Sequence, residues 1–153
     1  MKIMDILVKD AVILDLISQN KDSLLAEMAR ALAKAKPGLD EQQLLSVLVE
    51  REALQSTGIG EGVAIPHGKM AGLEGLLASF GRSRKGIDFA SIDGQPTELF
   101  FLLVVPEHLG GQHLKALARI SRFFRDASFR QKLTEAEKLE DIFAAIEEED
   151  AKF

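Results

Sequence analysis

The chain has 153 residues, 46% hydrophobic and 28% charged, with a formal net charge of −5 and no cysteine. That size makes one domain with a substantial core the default, the acidic balance argues against a nucleic-acid surface, and the missing thiols exclude disulfides, a cysteine nucleophile and sulfur metal sites. No apolar run approaches the roughly 20 residues of a membrane span, and the opening Met1-Lys2-Ile3-Met4-Asp5 lacks a signal peptide's apolar segment, so a cytoplasmic protein without a membrane span is expected.

In chain order, Val12-Ile13-Leu14 is a β-branched run bounded by acids and predicts an early strand, followed by a turn over residues 18–21. From about Ser23, Leu25, Met28, Ala29 and Leu32 fall at helical i, i+3, i+4, i+7 spacing, and Pro37-Gly38 stops the run. Asp40 caps a second helix, with Gln43 completing a capping box and Leu44, Leu45, Leu48 and Val49 as its buried stripe. The period then changes. Residues 63–65, 76–80 and 99–105 are short apolar runs punctuated by Gly and Pro, the pattern of buried strands, and the last has seven apolar residues without alternation, which requires cover on both faces. Pro106 ends it, and Gly110-Gly111 opens a long helix with Leu114, Leu117, Ala118, Ser121 and Phe124 on one face and Lys115, Arg119 and Arg122 turned elsewhere. Asp126 caps a shorter helix through Phe129 and Leu133; Leu139, Ile142, Phe143 and Ile146 mark a terminal one, with residues 147–153 as a frayed acidic tail. Helices flanking a block of buried strands predict a single α/β domain over residues 1–153, a three-layer α/β/α sandwich.

Residues 52–68 are the stretch the remainder serves. Pro66 fixes its own φ and biases Ile65 toward an extended backbone, and Gly68 lets the chain turn away, so His67 is presented at a strand end. Upstream, Gly58, Gly60 and Gly62 alternate with Ile59, Glu61 and Val63, a density that allows close backbone approach to a ligand or a tightly folded loop.

Glu52, six residues, Ile59-Gly60, two residues, then Val63-Ala64-Ile65-Pro66-His67-Gly68 resembles the phosphorylation-site signature of the fructose/mannitol-type enzyme IIA proteins of the bacterial phosphoenolpyruvate-dependent phosphotransferase system. The resemblance continues through Gly81-Arg82-Ser83, Gly86-Ile87-Asp88-Phe89, Asp93-Gly94-Gln95-Pro96, Leu99-Phe100-Phe101-Leu102-Leu103 and Gly111-Gln112-His113-Leu114-Lys115-Ala116-Leu117. It covers nearly the whole chain and is more similar to the nitrogen-regulatory branch than to the sugar-transport branch. The resemblance implies a mixed central sheet and a phosphocarrier that accepts a phosphoryl group on His67 from a histidine phosphocarrier protein (HPr or a nitrogen-type equivalent). It further implies signalling to regulated proteins such as transporters or kinases, or onward transfer, with no ATP site, P-loop, metal or other cofactor. In relatives the phosphorylated nitrogen is Nε2.

Such a carrier needs an unprotonated, accessible nitrogen and positive groups around the phosphoryl oxygens. Histidine, with an unperturbed pKa near 6.5, supplies the first. The resemblance places His113 and Arg51 at the phosphorylation site, where an imidazole N–H and a forked guanidinium would hold the phosphoryl oxygens. His113 also follows the glycines that open a helix, where free N–H groups favour an anion. Phosphate contact is expected at Gly60, Glu61, Gly68 and Gly111. Glu61 faces the site mouth, where a carboxylate repels phosphate; it either orients an imidazole or is merely solvated. Glu52 reads as structural, tying the glycine loop.

Each residue also has a plainer reading. His67 is a turn residue when taken without its signature, His113 a helix N-terminal residue, and Arg51 in Glu50-Arg51-Glu52 an ordinary solvated ion pair. His108, His113 and His67 make three imidazoles, the number of a zinc site, but the i, i+5 pair is poor for one helical face and no acid joins it. Arg82-Ser83-Arg84-Lys85 reads as a solvated face, and Leu109 and Leu114 as docking candidates. The competing functions are a regulatory module that binds regardless of phosphorylation, a sugar-transport IIA component donating to a separate IIB, and a small hydrolase. The hydrolase is weakened because Ser56-Thr57 has no nucleophile-elbow context.

Overall fold

In this computed structural model the described residues are 1–109 and 111–153, the side chain of Gln112 excepted. Helices α1 (Ile3–Ile6), α2 (Lys21–Ala35) and α3 (Glu41–Leu54) precede strands β1 (Gly58–Gly60), β2 (Val63–Ala64), β3 (His67–Met70), β4 (Leu77–Ile87) and β5 (Thr97–Pro106). Helices α4 (Gln112–Arg125), α5 (Ala127–Glu135) and α6 (Leu139–Lys152) follow.

β5 is the axis of the sheet. On one edge it pairs antiparallel with β4; on the other it pairs parallel with β2 (Val63 against Leu99) and then with β3 (His67 against Leu103). β1 closes the far side antiparallel to β2, so the sheet is mixed. Because successive side chains of a strand point to opposite faces, β5 feeds two cores. Leu99, Phe101, Leu103 and Val105 meet α1, α4, α5 and α6, while Phe100, Leu102 and Val104 meet α2 and α3. Burying each such side chain contributes about 1.5–3 kcal/mol, and the unbroken apolar run from 99 to 105 is thereby explained.

Local chemistry sets several boundaries. Asp40 accepts from the N–H groups of Gln42 and Gln43, and Asp126 from those of Ser128 and Phe129, so both expected N-caps form. Pro66 lacks an N–H and interrupts the edge strand, dividing β2 from β3 while its carbonyl still accepts from Leu103.

Five expectations are corrected. Residues 12–14 do not form a strand: Ile13 makes a single parallel bridge to Gly81 and Leu7 another to Ala78, so the N-terminal segment runs along the outer edge of β4 by isolated bridges. Val49 is 42% exposed and leaves the α3 stripe to Leu44 and Leu48. In α4 the buried face is Ala116, Ile120, Phe123 and Phe124, whereas Leu114 is 62% exposed, so the apolar periodicity was shared between core and surface. Arg82 and Ser83 are buried within the basic run; Arg82 donates to the carbonyls of Leu133, Thr134 and Ala136, satisfying the C-terminus of α5 from inside. Residues 147–152 are not frayed but complete α6: Asp150 is buried, accepts from the N–H groups of Ile3 and Met4 at 2.8 and 2.9 Å, and pairs with Arg119 at 3.0 Å. An acid that looks like solvated tail is therefore the cap of α1.

Candidate functional site

His67 opens β3, directly after the Pro66 break, and its ring is half-buried. The residue after it must be small: a Cβ on Gly68 would meet Cγ2 of Val47 at 3.1 Å, so β3 approaches α3 closely at this point. His67 Nδ1 lies 2.8 Å from the carbonyl oxygen of Ile65. A carbonyl only accepts, so Nδ1 carries the proton and Nε2 holds the free lone pair. Burial pushes the His67 pKa down, the Ile65 hydrogen bond raises it, and the charges of Arg51 and His113 push it down again; the net direction is downward from 6.5. The neutral, nucleophilic form is favoured.

Two cavities meet at this imidazole. One, of about 520 Å³, is walled by Arg51, the segment Ser56-Thr57-Gly58-Ile59, Ile92 and, from α4, Leu117 and Ser121. The other, of about 650 Å³, is walled by Val47, Glu50, Arg51, Gly68, Lys69 and His113. Arg51 belongs to both. Its Nη1 donates at 2.8 Å to the carbonyl of Gln55, just beyond α3, which fixes the guanidinium at the helix end. His113, half-buried in the first turn of α4, faces His67 from the opposite layer of the sandwich.

The structure thus brings His67, Arg51, His113 and Gly68 together. Gly60 and Glu61 stand apart, lining a neighbouring cleft with Ser121, Phe124, Arg125 and Arg130. Glu61 has a positive φ of 57°, its N–H donates to Asp93 at 3.1 Å, and its carboxylate lies 3.7 Å from Arg130, so it orients no imidazole here. Gly111 is exposed at the N-cap of α4, and its partner in the expected helix opening, Gly110, lies outside the described residues. Glu52 does tie the loop: its buried carboxylate accepts from the N–H and Oγ1 of Thr57. His108 sits exposed on the 3-10 turn Glu107–Leu109, and among the described residues no three His, Asp or Glu side chains converge on a metal position.

Lys69, Leu117 and Ser121 were not anticipated as lining residues. Lys69 is two positions after His67 in a strand and shares its face, a signal readable once β3 is known. His113, Leu117 and Ser121 follow each other at i, i+4, i+8, the face of α4 that looks onto the site.

Residues 5–149 match the family model described as the phosphoenolpyruvate-dependent sugar phosphotransferase system, EIIA 2. The chain belongs to this EIIA family. It is a IIA domain of phosphocarrier type. It is 42% identical over 146 residues to a nitrogen regulatory protein of Bradyrhizobium diazoefficiens, covering 95% of both chains. It is 39% identical over 150 residues to the fructose-specific EIIABC component of Bacillus subtilis, of which it spans 24%. Among solved structures, the nitrogen regulatory protein IIA-Ntr of Neisseria meningitidis superposes with a TM-score of 0.86 at 34% identity, over 93% of this chain and 97% of that one. Its mixed sheet and flanking helices are therefore the EIIA fold, and no helix among its described residues is long and apolar enough to cross a membrane.

Proposed function

We propose that this EIIA domain accepts a phosphoryl group on Nε2 of His67 from the phosphohistidine of a small histidine phosphocarrier protein in the cytoplasm. The carrying observation is the hydrogen bond from Nδ1 to Ile65, which leaves Nε2 as the nucleophile in a cavity shared with Arg51 and His113. The lone pair of Nε2 attacks phosphorus as the donor's N–P bond breaks, returning that electron pair to the donor imidazole. No proton need leave Nε2, because the neutral tautomer already carries its proton on Nδ1.

Arg51 is suited to neutralise the transferring oxygens through its forked donors, with Lys69 adding a positive charge and His113 an imidazole N–H from the other cavity. The reaction asks mainly for positioning and charge, which this arrangement supplies. Gly68 lets β3 lie close against Val47 of α3 beside the ring, Gly111 at the N-cap of α4 is a further candidate phosphate contact, and Gly60 and Glu61 line the neighbouring cleft instead.

The likeness to nitrogen regulatory proteins over 95% of both chains supports signalling to regulated proteins, transporters or kinases, as the output. A second reading, onward transfer to a separate IIB component, is favoured by 39% identity to a fructose-specific EIIABC component over 98% of this chain. Incubation with each donor type followed by intact mass tests the acceptor. Mixing the phosphorylated protein with a fructose-type IIB separates the outputs: rapid loss of the group to IIB supports transport, and its retention supports signalling. A His67→Asp variant that binds its partners no differently from wild type would favour the phosphorylation-independent module.

A further inference from the structure

Glu52 is a buried acid that the transfer step itself does not use. It lies in the last turn of α3 with 7% exposure, and its carboxylate accepts from Lys21 Nζ at 2.7 Å, from the Thr57 N–H at 3.1 Å and from Thr57 Oγ1 at 2.5 Å. Burial works against the charge, but the Lys21 and Thr57 donors outweigh it and hold the carboxyl below its usual range. Lys21 comes from a different helix, at the first position of α2, and its ammonium also sits 4.6 Å over the ring of Phe89. The Phe89 carbonyl in turn accepts from Ser56 Oγ, which accepts from the Gly58 N–H. Residues 56–58 are thus held from both sides.

That segment leads to the imidazole. The Thr57 carbonyl accepts from the Ile65 N–H at 3.0 Å, and the Ile65 carbonyl accepts from His67 Nδ1 at 2.8 Å. Ile65 precedes a proline, so its carbonyl belongs to an amide with no N–H to anchor it in the sheet. Its direction is fixed through its own N–H, and so through Thr57. We propose that Lys21 and Glu52 are positioning residues for phosphoryl transfer: through Thr57 and Ile65 they hold His67 in one tautomer with Nε2 toward the incoming group. This rests on the reading of His67 as the acceptor. A largely buried ion pair that served only the fold could lose its charge to a well-packed apolar group with little harm; this pair, with Glu52 buried and Lys21 part-exposed, is joined by hydrogen bonds through Thr57 and Ile65 to the reacting ring.

The test uses Lys21→Met, Lys21→Arg and Thr57→Val in the full chain, each checked for folding by thermal melting. ¹⁵N NMR of the His67 ring reads the tautomer without phosphorylation, and uptake from the phosphorylated histidine phosphocarrier protein gives kcat and KM. In Lys21→Met and Thr57→Val the ring should leave the single Nδ1–H form, and kcat should fall about tenfold or more with KM for the donor unchanged, since small misplacements of a reacting group are costly. Lys21→Arg should restore both. A folded Lys21→Met with wild-type tautomer, or one with an altered tautomer but wild-type kcat, overturns the proposal. If Lys21→Met fails to fold, Thr57→Val decides by the same criteria. Should wild type take up no phosphoryl group, the acceptor reading falls, and the ring spectra alone decide whether the chain of contacts orients His67.

Discussion

The carbonyl oxygen of Ile65 lies 2.8 Å from His67 Nδ1 and accepts its proton, two residues away across a proline. Proline keeps the preceding Ile65 extended, and the Thr57 carbonyl, which accepts from the Ile65 N–H at 3.0 Å, sets the direction in which the Ile65 carbonyl meets the ring. The free nitrogen is thereby chosen before any partner arrives.

One consequence is a pH profile. Burial lowers the His67 pKa below 6.5, with the charges of Arg51 and His113 adding to it, so uptake measured as kcat/KM should stay flat as pH falls through 6.5 and decline only at lower pH. The same group bears on stability. The unfolded chain binds this proton more readily than the folded one, so the contribution is fully present above about 6.5 and is lost as pH falls through the lowered folded value. NMR titration of the His67 ring protons checks both; a midpoint at or above 6.5 would contradict the site's electrostatics.

Arg51→Gln removes a cation common to both cavities. The His67 pKa should rise, and uptake should fall about 100-fold, the usual consequence of losing one preorganised donor to a developing anion. Stability should change by only about 1 kcal/mol, for the loss of the hydrogen bond to Gln55. Single-turnover uptake and urea unfolding on the same variant separate the two effects.

Gly58→Ala should damage the wall beside His67. A Cβ there would meet Oγ, Cβ and Cα of Ser91 at 2.8, 2.9 and 3.0 Å, and the last of these is backbone that cannot rotate away. A loss of about 1–3 kcal/mol is expected from the forced shift, together with slower uptake, because Thr57 and Gly58 line the cavity. Urea unfolding with paired uptake rates measures it.

Arg82→Met gives the opposite pattern. The buried guanidinium serves the last carbonyls of α5, with the exposed Asp15 at 3.3 Å as its acid partner. Stranding those acceptors should cost about 3 kcal/mol, while uptake per folded molecule is unchanged because Arg82 lines neither cavity at His67.

What was legible in the sequence were features decided locally or by an uninterrupted pattern: the caps at Asp40 and Asp126, the helix α2, the apolar run of β5 and the signature around His67. Strand β3 was not, because His-Gly-Lys-Met carries no apolar alternation and owes its pairing to β5 alone. The stripe of α4 misled because Leu114 is apolar yet 62% exposed, while Leu117 is shared between the core and the cavity at His67. Arg82 and Asp150 were hidden because a buried charge is declared only by partners far away in sequence, here Ala136 and Ile3. Glu61 was drawn to the site by its place in the signature, but the turn at its positive φ sends its side chain toward Arg130.

Whether His67 is the phosphoryl acceptor is read from intact mass. Wild type, His67→Ala and His113→Ala are incubated with phosphoenolpyruvate, enzyme I and the histidine phosphocarrier protein, of the sugar type and of the nitrogen type in turn. One acid-labile phosphoryl group is expected on wild type with at least one donor, none on His67→Ala, and slower uptake by His113→Ala. A phosphoryl group that persists on His67→Ala, or its absence from wild type with both donors, would contradict it.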